Sequence, residues 1–247
     1  MQFEYVPLLQ VQRDLCDLPR GTDRFDQYIA TLRGNTTDDM ELPLSAFNPM
    51  GKDHVPTILD EYLSLNADHI ARQSVVDAAA WCDGEEQQFR VTLVLADDAM
   101  GGWTNRYATE FDHRFGGRAN HRRGWVTGLL WTSETPAVQL VQDAVSQAVA
   151  RAAYVTRHGY AATLRQMLLQ LRVTFANSQL RYSLDNEELE YTYTAEVISS
   201  ELDSEVKGVQ IACMFGDEAA KELGHQPFGL SPRAGFALAM SSLSFEA

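Results

Sequence analysis

Positive charge is scarce in this chain. Twenty lysines and arginines stand against 34 aspartates and glutamates, for a net charge of −14. Only Lys52, Lys207 and Lys221 are lysines. Affinity for phosphate backbones and anionic membrane surfaces rests on Lys and Arg, so neither nucleic acid nor membrane is an expected partner. Cysteine is scarce too. Cys16, Cys82 and Cys213 are odd in number, far apart and without a C-x-x-C, which argues against a disulfide framework and a cysteine zinc site. Cys213, inside VQIACMF, reads as a small buried hydrophobe. No run approaches the roughly 18 uncharged apolar residues of a membrane span. The opening MQFEYVPLLQ has neither the basic nor the long apolar region of a signal peptide, so a cytoplasmic location is the expectation.

Several catalytic signatures are missing as well. The three-glycine dinucleotide fingerprint and the phosphate-binding G-x-x-x-x-G-K-[ST] are absent. So is the G-x-S-x-G turn of serine hydrolases. At 150–159 (ARAAYVTRHG), the ligand positions of an H-E-x-x-H helix are Ala150 and Tyr154, and the base position is Arg151. A zinc peptidase working through these residues is therefore excluded. Glu110 with His113, and Glu222 with His225, form E-x-x-H pairs, but carboxylate helices to complete a di-metal site are not evident. No metal site is expected, and no cofactor is named by the residues.

What remains is an ordinary globular composition, 45% hydrophobic and 22% charged. A chain of this size can bury roughly 70–75% of its unfolded surface. The loop-like stretches 34–40 (GNTTDDM) and 116–123 (GGRANHRR) are too short to force a boundary, so residues 1–247 read as one domain.

Four runs read as strands: 41–47 (ELPLSAF), 89–96 (FRVTLVLA), 124–132 (GWVTGLLWT) and 208–215 (GVQIACMF). Three are nearly continuous apolar runs, the pattern of strands covered on both faces. Helical periodicity falls at 54–64, 67–81 and 103–115. A long stripe of Val and Ala follows Thr135-Pro136 and stops at His158-Gly159. Its alanines allow another element to approach closely. Further helices are expected around Leu164–Leu171, at 184–199 and at 231–240. Alternating strands and helices imply an α/β fold, with four to five mostly parallel, possibly mixed, strands covered by helices. The helical excess keeps α+β as the alternative.

Open parallel sheets bind ligands at the carboxyl ends of their strands. Four loops would converge there: 48–54 with Asn48, Lys52, Asp53 and His54; 97–106; 133–135 with Glu134; and 216–218 with Asp217. The stretch DDAMGGWTNR is the richest. Asp97 and Asp98 can act as acid and base if their environments differ. Gly101 and Gly102 permit a tight turn with bare N–H groups, and Thr104 can cap the next helix. Asn105 and Arg106 offer donors to a carboxylate or phosphate. Architecture alone also accounts for much of this. Trp103, Tyr107 and Phe111 recur as one apolar stripe, and two aspartates can simply end a strand.

Two functions fit. One is an enzyme, hydrolase-like, or a binding protein for a small anionic ligand. Asp98, His54 and Asp97 would handle protons, and Asn105, Arg106, Gly102, Lys52, Glu134 and Asp217 would bind the ligand. The other is a non-catalytic interaction or scaffold protein. It would meet a partner or another copy of itself through the basic loop 114–123 and the acidic segment 185–205.

Overall fold

The structure is a computed structural model. It describes residues 1–34, 40–80, 82, 87–100, 104–178 and 190–241. In chain order the elements begin with β1 (Gln2–Tyr5), α1 (Leu9–Asp17), α2 (Thr22–Arg33), α3 (His54–Ser64), α4 (Ala67–Ala79) and β2 (Gln88–Ala96). Next come α5 (Arg106–Phe115), α6 (Arg118–Arg122), β3 (Trp125–Trp131) and α7 (Val138–His158). The chain continues through α8 (Leu164–Asn177), α9 (Tyr191–Ser200), α10 (Lys207–Phe215), α11 (Asp217–Glu222) and α12 (Ala234–Met240). Residues group into two compact units: Met1–Arg106 with Gly117–Ala153, and Tyr107–Gly116 with Tyr154–Ala247. No helix among the described residues is long and apolar enough to cross a membrane.

The first unit holds a parallel sheet in the order β1-β2-β3. Tyr5 lies opposite Val91, and the β2–β3 register runs from Arg90 opposite Trp125 to Ala96 opposite Trp131. Successive strand residues face opposite sides of a sheet. Val91 through Ala96 are all buried, so both faces of β2 are covered, as its continuous apolar run predicts. On β3, Gly128 lets α7 approach: a Cβ there would sit 3.0 Å from the Ala144 carbonyl. The alanine stripe of α7 is thus used for close packing on a strand.

The sheet has three strands rather than four to five. The run 41–47 is a packed loop. Pro43 has no N–H to give a ladder, the N–H groups of Glu41 and Leu42 donate to Leu32 O, and Leu44 and Phe47 anchor the loop in the core. The run 208–215 is helix α10. Gln210 through Phe215 are all buried, and an element buried all round shows no helical stripe to separate it from a covered strand. The strand at the amino terminus carries a period-2 signal, Gln2-Phe3-Glu4-Tyr5, that is only four residues long.

β1 ends before β2 does, and the exposed edge of β2 is finished by a side chain. Gln12 on α1 is fully buried. Its carboxamide donates to Leu93 O at 3.0 Å and accepts from Leu95 N at 2.9 Å. One amide thereby imitates the next residue of a neighbouring strand and satisfies two buried backbone groups.

The second unit is helical. Its core joins Phe111 and Phe115 on α5, Leu164, Met167, Leu168 and Leu171 on α8, Ile211 to Phe215 on α10, and Phe236 to Ala239 on α12. Inside it the buried Glu110 carboxylate is held by Arg114 at 2.8 Å and by Arg233 at 2.7 Å. The expected ending of α7 at His158 is present: Gly159 takes φ +79° and donates to Val155 O. Helix α8 opens on a capping box between Thr163 and Gln166.

Candidate functional site

The carboxyl ends of β2 and β3 lie side by side because Ala96 is in register with Trp131. Each strand stops in a polar pair, Asp97-Asp98 and Thr132-Ser133. The parallel register brings those pairs together, and α3 begins beside them at His54.

Asp97 is buried, with 2% of its side chain exposed. Its Oδ2 accepts from Asn48 Nδ2 at 2.7 Å, and its Oδ1 meets His54 Nε2 at 2.7 Å and Thr132 Oγ1 at 3.0 Å. A buried carboxylate is tolerated only with such donors. Asn48 is fixed in turn, since its Oδ1 accepts from Met50 N at 3.0 Å. The other imidazole nitrogen, His54 Nδ1, is buried and has no hydrogen-bond partner among the described residues. With the proton of a neutral imidazole on Nε2, donated to Asp97, the lone pair is on Nδ1.

Asp98 is equally buried but differently engaged. It accepts from Ser133 N at 3.0 Å, Ser133 Oγ at 2.7 Å and Arg106 at 3.1 Å. Arg106 also binds Ser133 Oγ and the Glu134 carboxylate, and its guanidinium lies 4.7 Å from the centre of the Trp131 ring. Thr132 ties the two aspartates together. Its single hydroxyl proton serves Asp97 Oδ1 or Asp98 Oδ1, while its oxygen accepts the N–H groups of Asp98 and Ala99. The two adjacent carboxylates therefore differ: Asp98 is neutralised by an arginine, whereas Asp97 faces an imidazole.

The other expected residues distribute as follows. Lys52 is exposed and donates from Nζ to Met100 O at 2.7 Å, linking the loop after the core anchor Phe47 to the loop after β2. Met100 itself has φ 52°, a left-handed conformation uncommon outside glycine. Thr104 does not cap α5; its hydroxyl donates to Asp97 O at 2.7 Å. Asn105 is half-buried just before Arg106 opens α5. Asp53 is fully exposed and pairs with Arg20. Gly101, Gly102 and Trp103 lie outside the described residues.

Asp217 does not join this network. Its expected place depends on a strand at 208–215, and that segment is a helix. In the second unit its carboxylate accepts from the N–H groups of Phe228, Gly229 and Leu230. Burial alone would raise its pKa, but these three donors outweigh it and hold the group below the usual carboxylate value.

Sequence reading missed the hub, Thr132, and placed Ser133 in the converging loop 133–135 without giving it a role. The available signal was position: hydroxyls directly after an apolar run sit where Asp97 and Asp98 sit on the adjacent strand. It also missed Tyr62 on α3, whose phenol is buried without a partner among the described residues. Burial first, then the Glu134 and Glu61 carboxylates, raise its pKa and keep it protonated.

The E-x-x-H pairs do not build a metal centre, because Glu110 is taken by two arginines. Among the described residues, no group of three or more His, Cys, Asp or Glu side chains is placed to hold a metal ion. No protein-family model, curated protein or solved structure matches this chain.

Proposed function

We propose that the carboxyl end of the sheet is the active site of a hydrolytic enzyme for a small substrate, with His54 as general base. One observation carries this reading: a buried aspartate grips one imidazole nitrogen at 2.7 Å while the other nitrogen is left without a partner among the described residues. A carboxylate in that position fixes the tautomer and stabilises the imidazolium that forms in the reaction. In the proposed step, substrate binding admits a water to the buried Nδ1, which takes its proton as the water oxygen bonds to an acyl carbon. The same proton then passes to the departing group as its bond to carbon breaks.

The geometry favours proton transfer over anion capture by Arg106. That guanidinium is already shared between Asp98 and Glu134, so it serves to position the loop ends. A substrate's negative group is better met by Lys52, whose ammonium spends one proton on Met100 O and keeps two to give.

The test compares the native chain with His54→Gln and Lys52→Ala on a panel of aryl esters, uncharged and carboxylate-bearing. The reading expects hydrolysis to fall about 10²–10⁴-fold in His54→Gln. Loss of Lys52 should raise KM for the charged esters alone. Hydrolysis unaffected by His54→Gln would overturn the proposal.

A further inference from the structure

The loop that carries Asn48 is tied to a buried arginine. Arg24 lies in the first turn of α2 and is 6% exposed. Arginine is almost never buried this far without a carboxylate beside it. Among the described residues Arg24 has none, and its guanidinium binds backbone carbonyls instead. Nε donates to Leu18 O at 2.6 Å, and Nη2 donates to Cys16 O at 2.7 Å and to Leu18 O. Cys16 is in the last turn of α1 and Leu18 follows its end, where a helix leaves its carbonyls without an internal partner. The other arm reaches elsewhere: Nη1 donates to Pro49 O at 3.3 Å.

That carbonyl belongs to the peptide unit between Pro49 and Met50. The N–H of the same planar unit donates to Asn48 Oδ1 at 3.0 Å. The Asn48 carboxamide, also planar, gives its Nδ2 to Asp97 Oδ2 at 2.7 Å. Asp97 Oδ1 in turn meets His54 Nε2 at 2.7 Å. Four hydrogen bonds through rigid planar groups therefore join the guanidinium to the imidazole. From Arg24 to Asp97 every donor points toward the carboxylate, and aligned bonds of this kind polarise and strengthen one another. Asp98 has its arginine in direct contact, whereas the only ion-pair partner of Asp97 among the described residues is His54. Positive charge reaches Asp97 through the chain of hydrogen bonds.

We propose that Arg24 is a positioning residue for His54: it locks the Pro49–Met50 peptide, which orients Asn48, which holds Asp97 in the arrangement that grips Nε2. The inference rests on the Asp97–His54 pair of the proposed site and names the device that sets it. Asn48 by itself has two orientations of its carboxamide, one of which would turn Oδ1 on the carboxylate. The Met50 N–H excludes that one, because it needs an acceptor where Oδ1 now sits. Arg24 keeps the Met50 N–H in place.

The experiment reads the neutral His54 tautomer by long-range ¹H–¹⁵N correlation on the full chain, without substrate. Arg24→Met removes the fork. The Nδ1–H form of His54 should then rise about fivefold relative to the Nε2–H form, the worth of one ordinary hydrogen bond. Arg24→Lys keeps the charge, but one ammonium cannot serve Leu18 O and Pro49 O together; it should move the ratio the same way, and it carries the test if Arg24→Met does not fold. Tyr28→Phe is the control. It lies on the same helix and loses a bond to Leu44 O at 3.1 Å, with no link to Asn48, so its ratio should match the native one. A native ratio in every folded Arg24 variant would overturn the proposal, and so would an equal shift in Tyr28→Phe, which would mean general loosening. The hydrolytic reading fails separately, through ester hydrolysis that ignores His54→Gln.

Discussion

Replacing Arg106 with alanine tests whether the strand-end network is a structural unit. Asp98 has 3% of its side chain exposed and Arg106 has 24%. Breaking a buried ion pair from one side typically costs about 3–5 kcal/mol, because the remaining charge stays buried. Here Asp98 keeps two donors, Ser133 N and Ser133 Oγ, and shares the Thr132 hydroxyl with Asp97, so the lower part of that range applies. Loss of the Trp131 contact adds about 0.5–1 kcal/mol. The expected total is about 3.5–4 kcal/mol, or a fall of about 2 M in the urea midpoint for a slope near 2 kcal/mol per molar. Tryptophan fluorescence is the right readout. Trp125 and Trp131 belong to the first unit, and the chain's other two tryptophans, 81 and 103, fall in the same span of sequence. Asp98→Asn in the Arg106→Ala background should cost far less than in the native chain, with a coupling of about 1.5–3 kcal/mol. A single-mutant loss under about 1 kcal/mol, or strictly additive losses, would refute the reasoning.

Three further outcomes follow from the same geometry. Gln12→Leu strands Leu93 O and Leu95 N in the core and should cost about 3 kcal/mol in urea unfolding, although the new side chain is apolar and of similar size. Gly128→Ala pushes a methyl to 3.0 Å from the Ala144 carbonyl and should lower stability by about 1–2 kcal/mol, despite alanine's lower chain entropy. Asp217 has a depressed pKa, so its stabilisation is full above the ordinary value of 3.8 and drains away as pH falls through its lower folded value. Asp217→Asn should therefore lie below the native chain in neutral thermal melts and converge with it on acidification; a gap that widens in acid would contradict the assignment.

The two central strands were legible because both faces of β2 and β3 are covered, which leaves an uninterrupted apolar run with little else to mimic it. The same logic failed at 208–215. Buried on every side, α10 has no polar face, and only its neighbours decide that it coils. β1 went unread because four residues of alternation are too few to stand out. The loop 41–47 was misread because Leu44 and Phe47 are apolar for packing, not for pairing. The candidate site was legible in its parts. His54, Asp97, Asp98, Arg106 and Glu134 share one place because the register of β2 and β3 aligns their strand ends. Division of labour between the aspartates was not legible. It depends on Thr132, Ser133 and Asn48, whose roles exist only once the strands are side by side. Gln12 is similar: a polar residue in an amphipathic helix gives no hint that it completes a sheet.

The central claim is that Asp97 fixes the imidazole of His54 with its proton on Nε2 and its lone pair on Nδ1. Long-range ¹H–¹⁵N correlation of the histidine side chains reads this directly, because protonated and bare ring nitrogens resonate far apart. The account predicts that neutral His54 shows a protonated Nε2 and a bare Nδ1, and that Asp97→Asn mixes the two tautomers. A neutral His54 with its proton on Nδ1, or a tautomer ratio indifferent to Asp97→Asn, would contradict it.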